Sequence, residues 1–253
     1  MPRVETTYAG SPVRRPKRLS TSIADELLRR VVSGAYPVGT PLPAEPLLVA
    51  EFDVSRPVVR EAVKSLETAG LVSIRQGDGT IVRDRGLWSI LDPRVLRVAL
   101  AYDIGSRLTD DATELRAELE CDLLRQAAAH LTEADFAAMR EYLETMDTAT
   151  GLAELGDADH AFHGTYRARA GNELKSSIVK LLVEEMPAPE RVRSEPRAMY
   201  DGANRDHWAI YNALREGCVD DAVDTLGRHI RERWISAPTT QGHDEALSSP
   251  RSG

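Results

Sequence analysis

Residues 34–82 read GAYPVGTPLPAEPLLVAEFDVSRPVVREAVKSLETAGLVSIRQGDGTIV. The central part, SRPVVREAVKSLETAG, predicts a helix. Ser55 is a favourable N-cap, Pro57 fits the first turn, where its missing N–H costs nothing, and Gly70 supplies a stop. Val59, Ala62, Val63 and Leu66 follow the i, i+3, i+4, i+7 spacing of one buried stripe. Arg56, Arg60 and Lys64 recur at i, i+4, i+8 on a row turned about 110° from that stripe. Three cations therefore stand beside the seam, available to a partner. Before this helix, AEPLLVAEF predicts a shorter one, with a tight turn at Asp53-Val54 between them. Further upstream, AYPVGTPLP interrupts regular structure. Ahead of it, STSIADELLRRVVSG predicts a helix capped by Ser20 or Thr21, striped by Ile23, Leu27, Val31 and Val32, and ended by Gly34. After Gly70, LVSIR and TIVR are β-rich runs joined by QGDG, a hairpin signal.

Helix, helix, turn, helix, hairpin is the order of a winged helix-turn-helix, in which the helix after the turn enters the major groove of DNA. Arginine near its start suits guanine, because the guanidinium fork pairs with O6 and N7 together. The stretch closely resembles the DNA-binding domain of the GntR family of bacterial transcription regulators, without gaps over residues 19–84. The resemblance implies that Ser55, Arg56, Pro57, Val58 and Arg60 meet double-stranded DNA, with Gln76 and Gly77 at the wing. Lys64 extends the same cationic row. One departure stands out: the family usually has a basic residue after the glutamate of its LPxE motif, and here that position is Pro46.

The chain of 253 residues has a net charge of −8, which alone argues against a nucleic-acid partner. The distribution argues otherwise. Residues 1–84 hold 12 Lys/Arg against 10 Asp/Glu, leaving 20 against 30 for the remainder. A basic module joined to an acidic one is the expectation. No apolar run approaches the roughly 18 residues of a membrane helix, and the polar, basic N-terminus lacks the apolar core of a secretory signal. Cys121 and Cys218 give no disulfide framework, which suits a reducing cytoplasm. A cytoplasmic location, with no membrane partner, is expected.

From residue 107 onward the β-rich runs cease. TDDATELRAELECDLLRQAAAHL carries Leu115, Leu119 and Leu123 at intervals of four, and TEADFAAMREYLETM carries Phe136, Met139, Leu143 and Met146. Four more amphipathic segments follow: GLAELGDADHAFHGTYRARA, ELKSSIVKLLVEEM, NRDHWAIYNALRE and VDDAVDTLGRHIRERW. Short connections predict an antiparallel bundle. The expected fold class is thus mainly α: an N-terminal winged helix-turn-helix with a small β-hairpin wing, then an all-α bundle. The expected organisation is a disordered basic tail over 1–17, the DNA-binding domain over 18–85, a connecting segment over 86–106, the helical domain over 107–236 and a disordered tail over 237–253. The words ELRAELE, DHAFH…GN and DHWAIYNAL…GCVDDAV…RHI resemble the FadR-type branch of the GntR family, whose C-terminal domain is called FCD. LWSILDPRVL, residues 87–96, resembles members that answer to sugar acids such as galactonate.

Asp159 and His163 lie four apart, so a helix projects both from one face. His207 lies 10 residues before Gly217 and His229 12 after it. In an antiparallel hairpin these offsets rise about 15 and 18 Å, bringing the two rings nearly level. One carboxylate and three imidazoles converging from three helices suit a divalent ion such as Zn, Ni or Mn, with a position left open. The FCD resemblance places metal ligands at these same positions. His160, about 100° around the helix from Asp159, is expected to be exposed or to support the ligands from behind, and His130 and His243 match nothing.

A metal with an open position could activate water, so a helical metallohydrolase fused to a DNA-binding module is the competing reading. The bundle shows no HExxH, no nucleophile elbow and no obvious general base beside the ligands. A non-catalytic regulator is the stronger expectation: a homodimeric repressor on a palindromic operator, its DNA binding modulated by a small carboxylate effector at the metal. Arg116 is the candidate second anchor for that carboxylate. The alternative for Arg116 is a surface ion pair with Glu120 at i+4.

Overall fold

The structure, a computed structural model, describes residues 17–75, 77, 79–102, 107–186 and 196–234. The expected tails therefore fall outside the described residues except for Lys17, 235–236 lie outside them too, and so do Gln76 and His243. The chain divides into two compact units, Met1–Tyr102 and Asp103–Gly253.

In the first unit, α1 (Lys17–Val32), α2 (Glu45–Phe52) and α3 (Arg56–Thr68) precede a hairpin of β1 (Val72–Arg75) and β2 (Gly79–Val82). The strands are antiparallel, with Val72 opposite Val82 and Arg75 opposite Gly79, and Pro41 bridges to Ile81 on the other edge of β2. α3 buries Val59, Ala62, Val63 and Leu66, the predicted stripe. Full burial of a valine or leucine side chain contributes about 1.5–3 kcal/mol, and three such residues on one stripe fix the rotation of α3. α1 begins earlier than a cap at Ser20 or Thr21 requires. Ser20 is itself buried, one turn before Ile23 and Ala24 and two before Leu27, so packing carries the helix past the polar signal.

Two local devices set the geometry of α3. Asp53 closes α2 in the left-handed region at φ 50, its N–H donating to the Val49 carbonyl. At the far end Gly70 adopts φ 79, Leu71 N–H donates to Leu66 O at 3.0 Å, and Gly70 N–H to Glu67 O at 2.9 Å. These are the paired bonds of a Schellman ending. A Cβ at position 70 would also lie 2.4 Å from the Leu87 carbonyl oxygen, so the position accepts only glycine. The described part of the connecting segment, 86–102, is structured: a 3₁₀ turn (Arg85–Leu87) and α4 (Pro93–Ala101), capped by Asp92, belong to this unit. Trp88 is buried and donates to Arg83 O at 3.1 Å, while Arg94 donates to Ser65 Oγ on α3 at 2.9 Å.

The second unit holds α5 (Arg107–Ala128), α6 (Glu133–Thr148), α7 (Leu152–Arg169), α8 (Glu173–Glu185), α9 (Pro196–Arg215) and α10 (Val219–Trp234). Its core is formed by Leu123, Leu124, Met139, Leu143, Phe162, Ile210, Leu226 and Ile230, among others. α5 pairs with α10, α6 with α7 and α9 with α10. α9 starts at Pro196, well before Asn204, where the amphipathic pattern begins. The Leu115–Leu119–Leu123 row is only partly inside: Leu115 is 40% exposed, while Arg116 (6%) and Glu120 (0%) occupy the buried face.

Candidate metal centre and DNA-facing surface

On α3 the cationic row stands where the periodicity put it. Ser55, Arg56, Pro57, Arg60 and Lys64 are exposed and Val58 is half-buried. Ser55 occupies the N-cap position, yet its side chain makes no capping hydrogen bond. Arg60 Nε donates to both carboxylate oxygens of Glu45, at 3.1 and 2.9 Å. Gly77 is exposed at the hairpin tip with φ 94.

In the second unit the three histidines meet in the interior. His163 on α7 is 2% exposed, His207 on α9 0% and His229 on α10 3%. His207 Nε2 lies 3.1 Å from His163 Nε2 and 3.1 Å from His229 Nε2. Asp159, one turn before His163, brings a carboxylate oxygen to 3.7 Å from His207 Nε2. The tight cluster of ligand atoms is the histidine triad, with Asp159 at its margin. His160 is exposed, with Nδ1 2.9 Å from Gly156 O, and His130 is exposed as well.

The outer nitrogens of two of the rings have partners. His229 Nδ1 lies 3.4 Å from Asp206 Oδ2, and this contact, with Arg228 beside it, holds the Asp206 carboxyl below the usual carboxylate range. His163 Nδ1 lies 2.9 Å from the Tyr166 hydroxyl, which donates to Glu120. Burial pushes the Tyr166 phenol well above its ordinary range, and Glu120 adds to this, so the proton stays on the phenol. Burial also pushes His163 well below the ordinary imidazole range, against the pull of Asp159, so the ring is neutral.

These contacts assign the protons. A carboxylate only accepts, so His229 Nδ1 carries hydrogen, and His163 Nδ1 must donate to a phenol oxygen whose own proton points at Glu120. His163 Nε2 then presents its lone pair to His207 Nε2, and His229 Nε2 lies equally close to that same atom. Two nitrogens about 2.0–2.1 Å from one ion, at tetrahedral to right angles, sit about 2.9–3.4 Å apart, the spacing of the two contacts to His207 Nε2. The histidine triad could therefore hold a metal ion.

Arg116 donates through Nε to Glu120 Oε1 at 3.0 Å with both side chains buried, so the pair is an interior one rather than a surface contact. Arg167 approaches the same carboxylate at 3.3 Å. Sequence reasoning did not single out Glu120, Tyr166, Arg167 or Asp206 as parts of this site. Tyr166 carried a signal, lying at i+3 from His163 on a helix; the others are set by packing between helices. No helix among the described residues is long and apolar enough to cross a membrane.

The chain matches the family model for bacterial regulatory proteins of the gntR family over residues 19–82, and that for the FCD domain over residues 111–232. It is 30% identical over 200 residues to the galactonate operon transcriptional repressor of Escherichia coli (strain K12), spanning 77% of this chain and 86% of that protein. It is 29% identical over 210 residues to the HTH-type transcriptional regulator LutR of Bacillus subtilis (strain 168), spanning 79% and 92%. Among solved structures, Lar of Listeria monocytogenes aligns over 87% of this chain and 96% of its own, with a TM-score of 0.55 at 23% identity, a likeness of fold.

Proposed function

Because the chain belongs to the GntR family of bacterial transcription regulators and carries that family's FCD domain, we propose that it is a homodimeric repressor whose operator binding is set by a small carboxylate held at a metal in the helical domain. The observation that carries this reading is the buried cluster of three imidazoles, with His207 Nε2 3.1 Å from Nε2 of each of the other two, backed by Nδ1 partners on His163 and His229. His163, His207 and His229, with Asp159 beside them, would hold one divalent cation. The neutral nitrogens and one carboxylate suit Zn, Ni or Mn. When bound, the ion supplies a Lewis-acidic position for an effector's carboxylate or hydroxyl. Arg116 is the second anchor, and an entering anion would compete with Glu120 for it. A sugar acid is the favoured class, supported by the LWSILDPRVL resemblance and by the relative named for the galactonate operon.

On the DNA side, Ser55, Arg56, Pro57, Val58 and Arg60 would meet base edges and the nearest phosphates, Lys64 a phosphate further along, and Gln76 and Gly77 the flanking backbone. The domain division expected from sequence is retained as the functional one, with residues 18–85 reading DNA and 107–236 sensing. A symmetric dimer would require a palindromic operator.

Operator variants selected from random duplexes provide the test. Arg56→Ala is expected to weaken specific binding by about 1–3 kcal/mol and relax base preference at one position per half-site, whereas Lys64→Ala weakens specific and random DNA alike. Equal losses for both variants on both kinds of DNA would contradict the assignment. Titrating the wild-type complex with hexonates, with and without chelator, tests the effector; a response unchanged by chelation would remove the metal from it.

A further inference from the structure

Glu120 is fully buried, and its carboxylate is shared among side chains from two helices. Arg116 Nε reaches Oε1 at 3.0 Å, Tyr166 donates to Oε2, and Arg167 Nη1 lies 3.3 Å from Oε2. A carboxylate in such a place is tolerated only when paired and hydrogen-bonded. Here the pairing also has a direction. The phenol has one proton, spent on Glu120, so its oxygen can only accept from His163 Nδ1 at 2.9 Å. With Nδ1 committed, the His163 lone pair is at Nε2, the atom that faces His207.

We propose that Tyr166, oriented by Glu120, is a positioning residue that fixes the tautomer and the ring angle of His163 so that Nε2 is the donor atom presented to the triad. The inference rests on reading the triad as a metal centre, and it adds residues outside that triad on which cation affinity depends. The Tyr166 ring stands at 73° to that of His163 with centroids 5.9 Å apart, so it also limits the imidazole's rotation from the side. Since Glu120 serves Arg116 as well, Arg116 is linked to His163 through three hydrogen bonds.

Tyr166→Phe removes the hydroxyl and keeps the ring, so the core stays filled; Tyr142→Phe, at a half-buried tyrosine of the same core, is the control. Two readouts are taken on the full chain: zinc affinity by competition with a chromophoric chelator, and the His163 tautomer in metal-free protein by ring ¹⁵N shifts. Tyr166→Phe is expected to bind zinc about 10–100-fold more weakly, the usual effect of losing an outer hydrogen-bond partner of a ligating histidine. Its His163 should lose the single Nδ1–H form, and Tyr142→Phe should match wild type in both. Wild-type zinc affinity and an unchanged tautomer in Tyr166→Phe would overturn the proposal while leaving the metal centre intact. If wild type takes up no zinc, the metal reading fails, and an unchanged tautomer would overturn this one too; a changed tautomer would sustain the positioning of His163 without the ion.

Discussion

Replacing His207 by alanine is expected to abolish metal-dependent stabilisation of the helical unit while leaving the DNA-binding unit folded. His207 Nε2 is the middle atom of the three, 3.1 Å from each of the other two histidines, and the Asp159 carboxylate points at it from 3.7 Å. Without it, His163 and His229 remain on α7 and α10 with no nitrogen from α9 between them. An ion joining three helices binds the folded bundle and not the unfolded chain, so its affinity appears directly as stability. At a free concentration 1,000 times Kd the increment is about 4.1 kcal/mol. The variant should lose that increment, and the deleted buried ring should cost a further 1–3 kcal/mol or so without metal. No proposed ligand lies in residues 1–84, so basal DNA affinity should change far less. Melting curves of both proteins, with zinc and with chelator, check this. An equal zinc-induced rise in the two would remove His207 from the site.

Phe162→Ala should produce the second large effect. The ring is fully buried, with its centroid 4.8 Å from that of His207 and 5.6 Å from that of His163, edge-on to the latter at 88°. Truncating such a side chain costs about 3–5 kcal/mol, part of it for the cavity left behind, against a total domain stability of about 5–15 kcal/mol. The cavity would open beside two of the three ligands, so metal affinity should fall together with stability. Phe136→Ala, at a half-buried ring packed edge-on to Tyr211, should cost less and leave the metal untouched. Urea unfolding and zinc competition on both variants separate these outcomes. A Phe162→Ala protein with full zinc affinity would show that the rings hold their positions without this support.

The helix-turn-helix was legible because local signals agreed. The stripe of α3, Pro57 in its first turn, the ending at Gly70 and the hairpin glycines each specify one element, and the buried residues match. The starts of α1 and α9 were not. Ser20 is a good cap by chemistry, yet it lies on the face that α1 buries, and packing outweighed a capping contribution of about 1 kcal/mol. Leu115 shows the same limit in reverse: leucines at intervals of four suggest a core row, but the interior of α5 accommodates Arg116 and Glu120 because they pair with each other and Tyr166 and Arg167 of α7 complete the carboxylate's partners. The triad was legible because helix periodicity and the offsets about Gly217 are one-dimensional quantities. The roles of Tyr166 and Asp206 were not, since each depends on how a neighbouring helix is rotated.

Counting the metal tests the central claim most directly. After equilibrium dialysis against zinc, manganese or nickel, elemental analysis of wild type, His160→Ala and His163→Ala is expected to give one tightly held divalent ion per chain in the first two and none in the third. The same metal content in wild type and His163→Ala, whether one ion or none, would contradict the account.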